Sequence, residues 1–161
     1  MGLFSFMKNA GDKIFGISKA DEEDALEVAV EELKLEKEAA IKLKETIIGL
    51  QLEVKDLNIF IDDDIVLVTG LACDQATKEK VVLIVGNSKG IAIVDDQMTV
   101  EYKAPEAQFR TVEREDTLGK IAKEFYDDAT KYSIIFEANK PMLTEPDKIY
   151  PGQLLRIPVL D

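Results

Sequence analysis

The stretch most able to bind an ion is a glycine-bounded turn near the middle of the chain. In IVGNSKGIAIVDD, residues 84–96, an apolar run ends at Gly86 and Asn87, and Gly90 precedes a second, alternating run. Glycines at such a place can hold a phosphate, reverse the chain or expose backbone carbonyls. Because this turn follows a predicted helix, its carbonyls favour a cation over a phosphate. We expect Gly86 to adopt the left-handed backbone that turns those carbonyls inward.

The remaining side chains offer little catalytic chemistry. The chain has no histidine, and its one cysteine, Cys73, is interpreted as a packed side chain rather than a reactive thiol. The run Asp62–Asp64 is interpreted as a tight acidic turn, because a calcium loop of the EF-hand type spreads its acids over about twelve residues. No nucleophile–base pair stands out in the sequence. We therefore predict a protein that is not an enzyme.

Charge narrows the range of partners. The 161 residues include 32 acidic and 20 basic ones, for a net charge of −12. This balance argues against nucleic acid and against anionic membrane surfaces, which are both polyanions. The N-terminus lacks the pattern of a secretory signal, and no run of apolar residues is long enough to span a bilayer. The sequence therefore predicts a cytoplasmic protein of one or two small domains.

The first two thirds of the chain predict an α+β unit. Residues 3–15 have apolar positions at helical spacing and predict a short amphipathic helix docked on the protein, with membrane docking as the alternative. Glu36–Glu38 interrupts the apolar stripe of the next helix and indicates a bend or break. The order is helix, strand, strand, helix and strand, with the helices on one face of a three-stranded sheet. The predicted elements are a helix over 21–50, strands over 54–62 and 65–72, a helix capped by Asp74 and ending at Gly86–Asn87, and a strand over 91–103.

The last fifty residues predict a second unit. Residues 104–108 read as a linker, because Pro105 ends the preceding strand. A strand, two helices and a closing strand follow over 109–158. The first of these helices is expected to be capped at Glu115 or Asp116. A unit of this size has only a small core.

Particular motifs in this second unit resemble a LysM domain. They are FRTVEREDTLGKIAKEFY and the ending IYPGQLLRIP, within residues 109–158. Residues 21–103 resemble a BON domain through the hairpin ending in VTG and through VGNSKGIAIVDDQ. Together with the start MGLFSFMKNAGDKIF, assigned to an N-terminal segment over 1–20, the chain resembles the cytoplasmic potassium-binding proteins of BON–LysM architecture.

That resemblance implies a site for K⁺, or for Rb⁺ or Cs⁺, in a monomeric sensor or buffer that becomes ordered when the ion binds. The N-terminal segment closes over the turn, and backbone carbonyls are the ligands. Neutral carbonyls suit a large, weakly hydrated ion, whereas a carboxylate cage favours divalent ions. The ligands that the resemblance implies are Met7, Lys8, Ala10, Gly86, Ser88 and Ile91.

The LysM resemblance implies a second function, the binding of peptidoglycan or other glycans that contain N-acetylglucosamine. Its groove would be formed by Asp116, Thr117, Leu118, Ile149 and Tyr150. Glu115 stands where LysM domains commonly have glycine, and a charged side chain there opposes a sugar. Glycan binding is therefore the alternative to potassium binding.

Overall fold

The structure is a computed structural model that describes the backbone of Phe4–Ser5 and of residues 19–160, with side chains from Leu26 onward. Phe4 and Ser5 form a short strand, β1. The helix predicted over 3–15 is therefore wrong at these two residues, because their backbone pairs with a sheet edge. The other residues of that predicted helix lie outside the described ones.

Five strands form the sheet of the first unit. The order is β1-β4-β3-β2, and β5 pairs with the second half of β3. The hairpin of β2 and β3 is antiparallel, whereas β4 and β5 both run parallel to β3. The bounds are β1 (Phe4–Ser5), β2 (Val54–Asp62), β3 (Ile65–Asp74), β4 (Ile93–Asp96) and β5 (Thr99–Tyr102).

The sheet differs from the three-stranded one predicted because β1 is added at its edge and the strand expected over 91–103 is divided. The Asp96 carboxylate accepts the Met98 amide at 3.0 Å, and the Gln97 amide donates to the Val68 carbonyl at 2.9 Å. The first bond interrupts the ladder between β4 and β5, and the second keeps the chain against β3, which both strands follow in the same direction and register. The side chain of Met98 is consequently buried in the core.

Two helices cover the inner face of this sheet. They are α1 (Lys19–Gly49) and α2 (Gln75–Gly86). α1 is continuous through residues 36–38, so the predicted break is absent, and the Glu36 carboxylate accepts the Asp63 amide at 2.8 Å. None of the helices in the described part of the chain is apolar and long enough to cross a bilayer. The core beneath them consists mainly of Ile47, Leu57, Ile61, Val66, Val68, Val81, Val85 and Met98.

The second unit has the predicted order of strand, helix, helix and strand. Its two strands pair antiparallel, and its buried residues form a second core, while Phe109 and Met142 pack against the core of the first unit. The helix cap is Thr117, whose hydroxyl accepts the Lys120 amide at 3.2 Å, and not Glu115 or Asp116 as predicted. The elements are β6 (Gln108–Thr111), α3 (Leu118–Tyr126), a 3₁₀ turn (Ala129–Lys131), α4 (Tyr132–Ala138) and β7 (Leu154–Ile157).

The predicted cap of α2 is confirmed and generates a pH prediction. The Asp74 carboxylate accepts the Thr77 amide at 2.7 Å, and this hydrogen bond lowers the pKa of Asp74 below its ordinary value of 3.8. A carboxylate with a depressed pKa contributes stability above the unfolded pKa and loses it as pH falls through the folded pKa.

We expect Asp74→Ala to lower the free energy of unfolding by about 1 kcal/mol at pH 7. The difference from wild type should shrink as pH falls below the ordinary pKa of 3.8 and disappear once pH has fallen through the depressed pKa of the folded state. Urea unfolding at a series of pH values measures both. Asp147→Ala, at an exposed aspartate, is the control and should change stability little. A deficit for Asp74→Ala that persists unchanged at low pH would contradict the assignment.

Candidate functional site

The candidate site is the turn that follows α2. Asn87 closes the helix: its amide and its side-chain Nδ2 both donate to the Leu83 carbonyl, at 3.1 and 3.0 Å. The Ser88 hydroxyl donates to the Ile84 carbonyl at 2.9 Å, and the Ser88 amide donates to the Val85 carbonyl at 3.0 Å. Three of the four terminal carbonyls of α2 are therefore satisfied inside the turn.

The carbonyls further along the turn keep their capacity to accept. Among the described residues, nothing donates to the carbonyls of Gly86 or Ile91. The Ser88 carbonyl accepts the Ile91 amide at 3.3 Å, which leaves one of its two lone pairs. The three predicted ligands of this turn thus lie in one six-residue segment at the negative end of α2, with acceptor capacity for a cation.

The two glycines of the turn have different roles from those predicted. The left-handed backbone occurs at Gly90, where φ is 89°, and not at Gly86, which remains helical. A side chain at Gly86 would place its Cβ 3.2 Å from Cδ2 of Leu154 in the second unit. Gly86 therefore permits close approach of β7, and Gly90 permits the change of direction into β4.

A groove runs between α1 and this turn. Its volume is about 620 Å³, and its lining is mainly apolar. Leu35 and Leu43 of α1 form one wall, and Ser88, Gly90 and Ile91 of the turn form the other.

The N-terminal strand runs toward the same turn. Phe4 pairs with Val94 and Ser5 with Ile93, in antiparallel register. Because β4 leads away from the turn, β1 runs toward it. Met7, Lys8 and Ala10, the predicted ligands of the N-terminal segment, lie outside the described residues.

Asn87 also joins the two units. Its Oδ1 accepts the Leu154 amide at 2.8 Å, and its Nδ2 donates to the Leu154 carbonyl at 3.0 Å. The side chain therefore bonds the main chain of β7 as a neighbouring strand would. The turn that carries the candidate ligands is consequently anchored on the second unit.

Two further contacts hold the same strand. Asn139, which is buried, bonds the amide and carbonyl of Arg156 through its side chain at 2.7 and 2.8 Å. The Arg156 Nε donates to the Glu79 carboxylate of α2 at 2.5 Å, and Glu79 also accepts the Ala107 amide. Both side chains of this ion pair are largely buried. β7 is thus bonded by β6 along one edge and by two asparagine amides along the other.

Sequence reasoning missed these interdomain contacts. A Gly-Asn pair after an apolar run indicates the end of a helix, and that local signal was available. The partner of Asn87 lies 67 residues further along the chain, and that of Glu79 lies 77 residues further. Neither separation leaves a local pattern in the sequence.

The residues predicted for a glycan groove are already engaged in part. Asp116 accepts the Glu113 amide at 2.8 Å, Thr117 caps α3, and Leu118 is buried in the core of the second unit. Ile149 packs against that core, whereas Tyr150 is exposed. The ring of Tyr150 is therefore accessible to a ligand from solvent.

Known proteins resemble both the second unit and the whole chain. The LysM domain family matches residues 111–158, so the predicted LysM domain is confirmed. Over 160 residues the chain is 44% identical to the potassium binding protein Kbp of Escherichia coli O6:H1, and the match covers 98% of this chain and 99% of that protein. The chain therefore belongs to the Kbp family. The BON resemblance of residues 21–103 stays a prediction.

The geometry of Asn87 predicts a large effect of its removal. Asn87→Ala should lower the free energy of unfolding by about 2–3 kcal/mol, because it leaves main-chain groups of Leu154 without partners. Asn58→Ala is the matched control, since Asn58 makes a single exposed hydrogen bond to the Asp56 carbonyl. Denaturant unfolding of the three proteins measures the difference, and equal losses in both variants would contradict the role of Asn87.

Proposed function

We propose that this protein binds K⁺ in the cytoplasm through backbone carbonyls, without enzymatic activity, as a monomeric sensor or buffer. The observation that carries the proposal is the turn after α2, at the negative end of a helix, where no described residue donates to the carbonyls of Gly86 and Ile91 and the Ser88 carbonyl accepts only one amide. The 44% identity to a protein named as a potassium binding protein supports the same ion.

The chemistry of the turn suits a monovalent ion. Neutral carbonyls replace the loosely held water of K⁺, whereas Mg²⁺ and Ca²⁺ require carboxylates to offset their charge. Glu36 lines the groove beside the turn, but one of its carboxylate oxygens accepts the Asp63 amide. In the part of the chain that the structure describes, no three acidic, cysteine or histidine side chains are grouped to hold a metal.

The direction of β1 supports the second half of the proposed site. Ser5 pairs with Ile93, and Ile91 lies two residues before Ile93 toward the turn. A chain that leaves Ser5 in the same direction covers about 3.3 Å per residue, so Met7 is within reach of Ile91. We propose that Met7, Lys8 and Ala10 donate carbonyls there and that residues 6–18 fill the groove along α1.

Glycan binding is the second candidate, and the LysM match over 111–158 is the observation that favours it. The engaged state of Asp116 and Thr117 and the charge of Glu115 count against a sugar in that groove. A pull-down with purified peptidoglycan distinguishes the two functions. Retention of the protein by peptidoglycan, with equal stability in KCl and NaCl, would favour the glycan.

Ion selectivity is the direct test of the proposal. An ion that binds only the folded state raises the free energy of unfolding by RT ln(1 + [ion]/Kd), about 1.4 kcal/mol for each tenfold rise above Kd. We expect KCl and RbCl to raise the melting temperature more than NaCl at equal ionic strength. Equal stabilisation by all three salts would contradict the proposal. Deleting residues 1–10 should remove the difference.

Two matched glycines test whether backbone geometry forms the site. Gly90 and Gly152 both have φ 89° and open space around Cα, but they lie in different units. Each Gly→Ala change should therefore lower stability by about 1–3 kcal/mol through backbone strain. We expect only Gly90→Ala to lose the additional stabilisation by K⁺ over Na⁺. Ser88→Ala, which keeps its carbonyl, should retain it, and a loss in Ser88→Ala alone would implicate the hydroxyl instead.

A further inference from the structure

The N-terminal half of α1 is an apolar surface that the described fold leaves uncovered. Every side chain over residues 26–35 is exposed, and five of them are large and apolar. Leu26, Val30 and Leu33 follow one another at spacings of four and three residues, so they lie along one side of the helix. This set is called the free stripe below. Leu26 and Val30 are 65% and 64% exposed, which no role in the core explains.

The free stripe leads into a groove at the edge of the sheet. Leu33, Ala40 and Ile41 of α1 and Phe60 of β2 line this groove, whose volume is about 320 Å³, and so do Glu36, Lys37 and Lys44. β2 is the last strand in the sheet order, and the Phe60 side chain is 60% exposed. Stripe and groove together present a mainly apolar track along α1 to the edge of the sheet, with the two lysines at the groove end. Tracks of this kind receive amphipathic helices.

The charges around the free stripe select the kind of partner. Residues 19–35 include seven acidic and two basic residues. Glu27, Glu31 and Glu38, which are exposed, follow the same side of the helix next to the stripe. A second copy of the chain would bring the same glutamates and its own net charge of −12 against them. These glutamates attract a basic partner, whereas they repel a second copy of the chain.

The N-terminal segment of the chain itself has a nearer place to pack. β1 lies at the opposite edge of the sheet from β2, beside the turn after α2. The groove on that side is lined by Leu35 and Ile91, and it adjoins the groove at Phe60, since Glu36 and Ile61 line both. No side chain in the described part of the chain covers the free stripe.

We propose that the free stripe and the groove at Phe60 form a docking surface for a basic amphipathic helix of a partner protein. The apolar face of the partner covers Leu26, Val30 and Leu33, and its lysines or arginines face the glutamates beside the stripe. The surface is independent of the ion-binding turn, so it does not rest on the function proposed above.

The test uses the full chain and a defined probe. The probe is a fluorophore-labelled amphipathic helical peptide of leucine and lysine, and the matched peptide has glutamate in place of lysine. Fluorescence anisotropy should show binding of the lysine peptide only, and binding should weaken as NaCl is raised at constant KCl. Failure of the lysine peptide to bind the full chain would overturn the proposal.

Two valines on one helix provide the matched variants. Val28 and Val30 are 57% and 64% exposed and are separated by about 200° around the helix. Val30→Gln should weaken binding of the lysine peptide roughly 5- to 10-fold, through lost apolar burial. Val28→Gln should leave it within about twofold of wild type. Glu27→Gln with Glu31→Gln should weaken binding and reduce its dependence on salt.

Three outcomes would overturn the assignment. Equal effects of Val28→Gln and Val30→Gln would reduce the binding to general attraction between opposite charges. Equal binding of the lysine and glutamate peptides would exclude charge selection. Sedimentation velocity that shows a dimer in wild type, and a monomer in Val30→Gln, would assign the surface to a second copy of the chain.

Discussion

The hydrogen bonds of Asn87 are the constraint on which the arrangement of this protein depends. One amide side chain closes α2 at the Leu83 carbonyl and completes the edge of β7 at Leu154. The turn that carries the candidate carbonyls cannot change its path without disturbing the second unit. A weakly coordinated ion benefits from such support, because carbonyls already held in place lose less conformational entropy when the ion binds.

The second unit depends on the same contacts in return. Two strands and two short helices bury a small core, and units of this size are only marginally stable alone. β7 has one partner strand, and the unpaired edge is completed by Asn87 from one unit and Asn139 from the other. The buried pair of Glu79 and Arg156 adds a charge-assisted hydrogen bond. Removing either side chain would be costly, because it would leave the charge of the other buried and unpaired. The LysM domain is thus a structural support for α2 whatever else it binds.

What the sequence could predict follows from how local each feature is. The Asp74 cap, the end of α2 at Gly86 and the hairpin turn at Asp63 are set by neighbouring residues, and the structure confirms them. The division of β4 from β5 depends on Asp96 bonding a residue two positions away, which a run of alternating residues conceals. The close approach that Gly86 permits depends on Leu154, far along the chain, and no local pattern reveals it. The proposed N-terminal ligands, Met7, Lys8 and Ala10, came from family resemblance, because no pattern of side chains marks a site built from backbone carbonyls.

The distribution of charge separates the two surfaces of the protein. The turn offers neutral carbonyls and one exposed lysine, Lys89, whereas the first half of α1 concentrates acids beside apolar side chains. Carboxylates at the turn would raise affinity for divalent cations and reduce selectivity for K⁺. The glutamates over residues 26–35 do not act in this way, because they are spread over several turns of an exposed stretch of helix and are screened by water and salt. The net charge of −12 therefore attracts cations to the protein in general, while the choice among cations is left to backbone geometry at the turn.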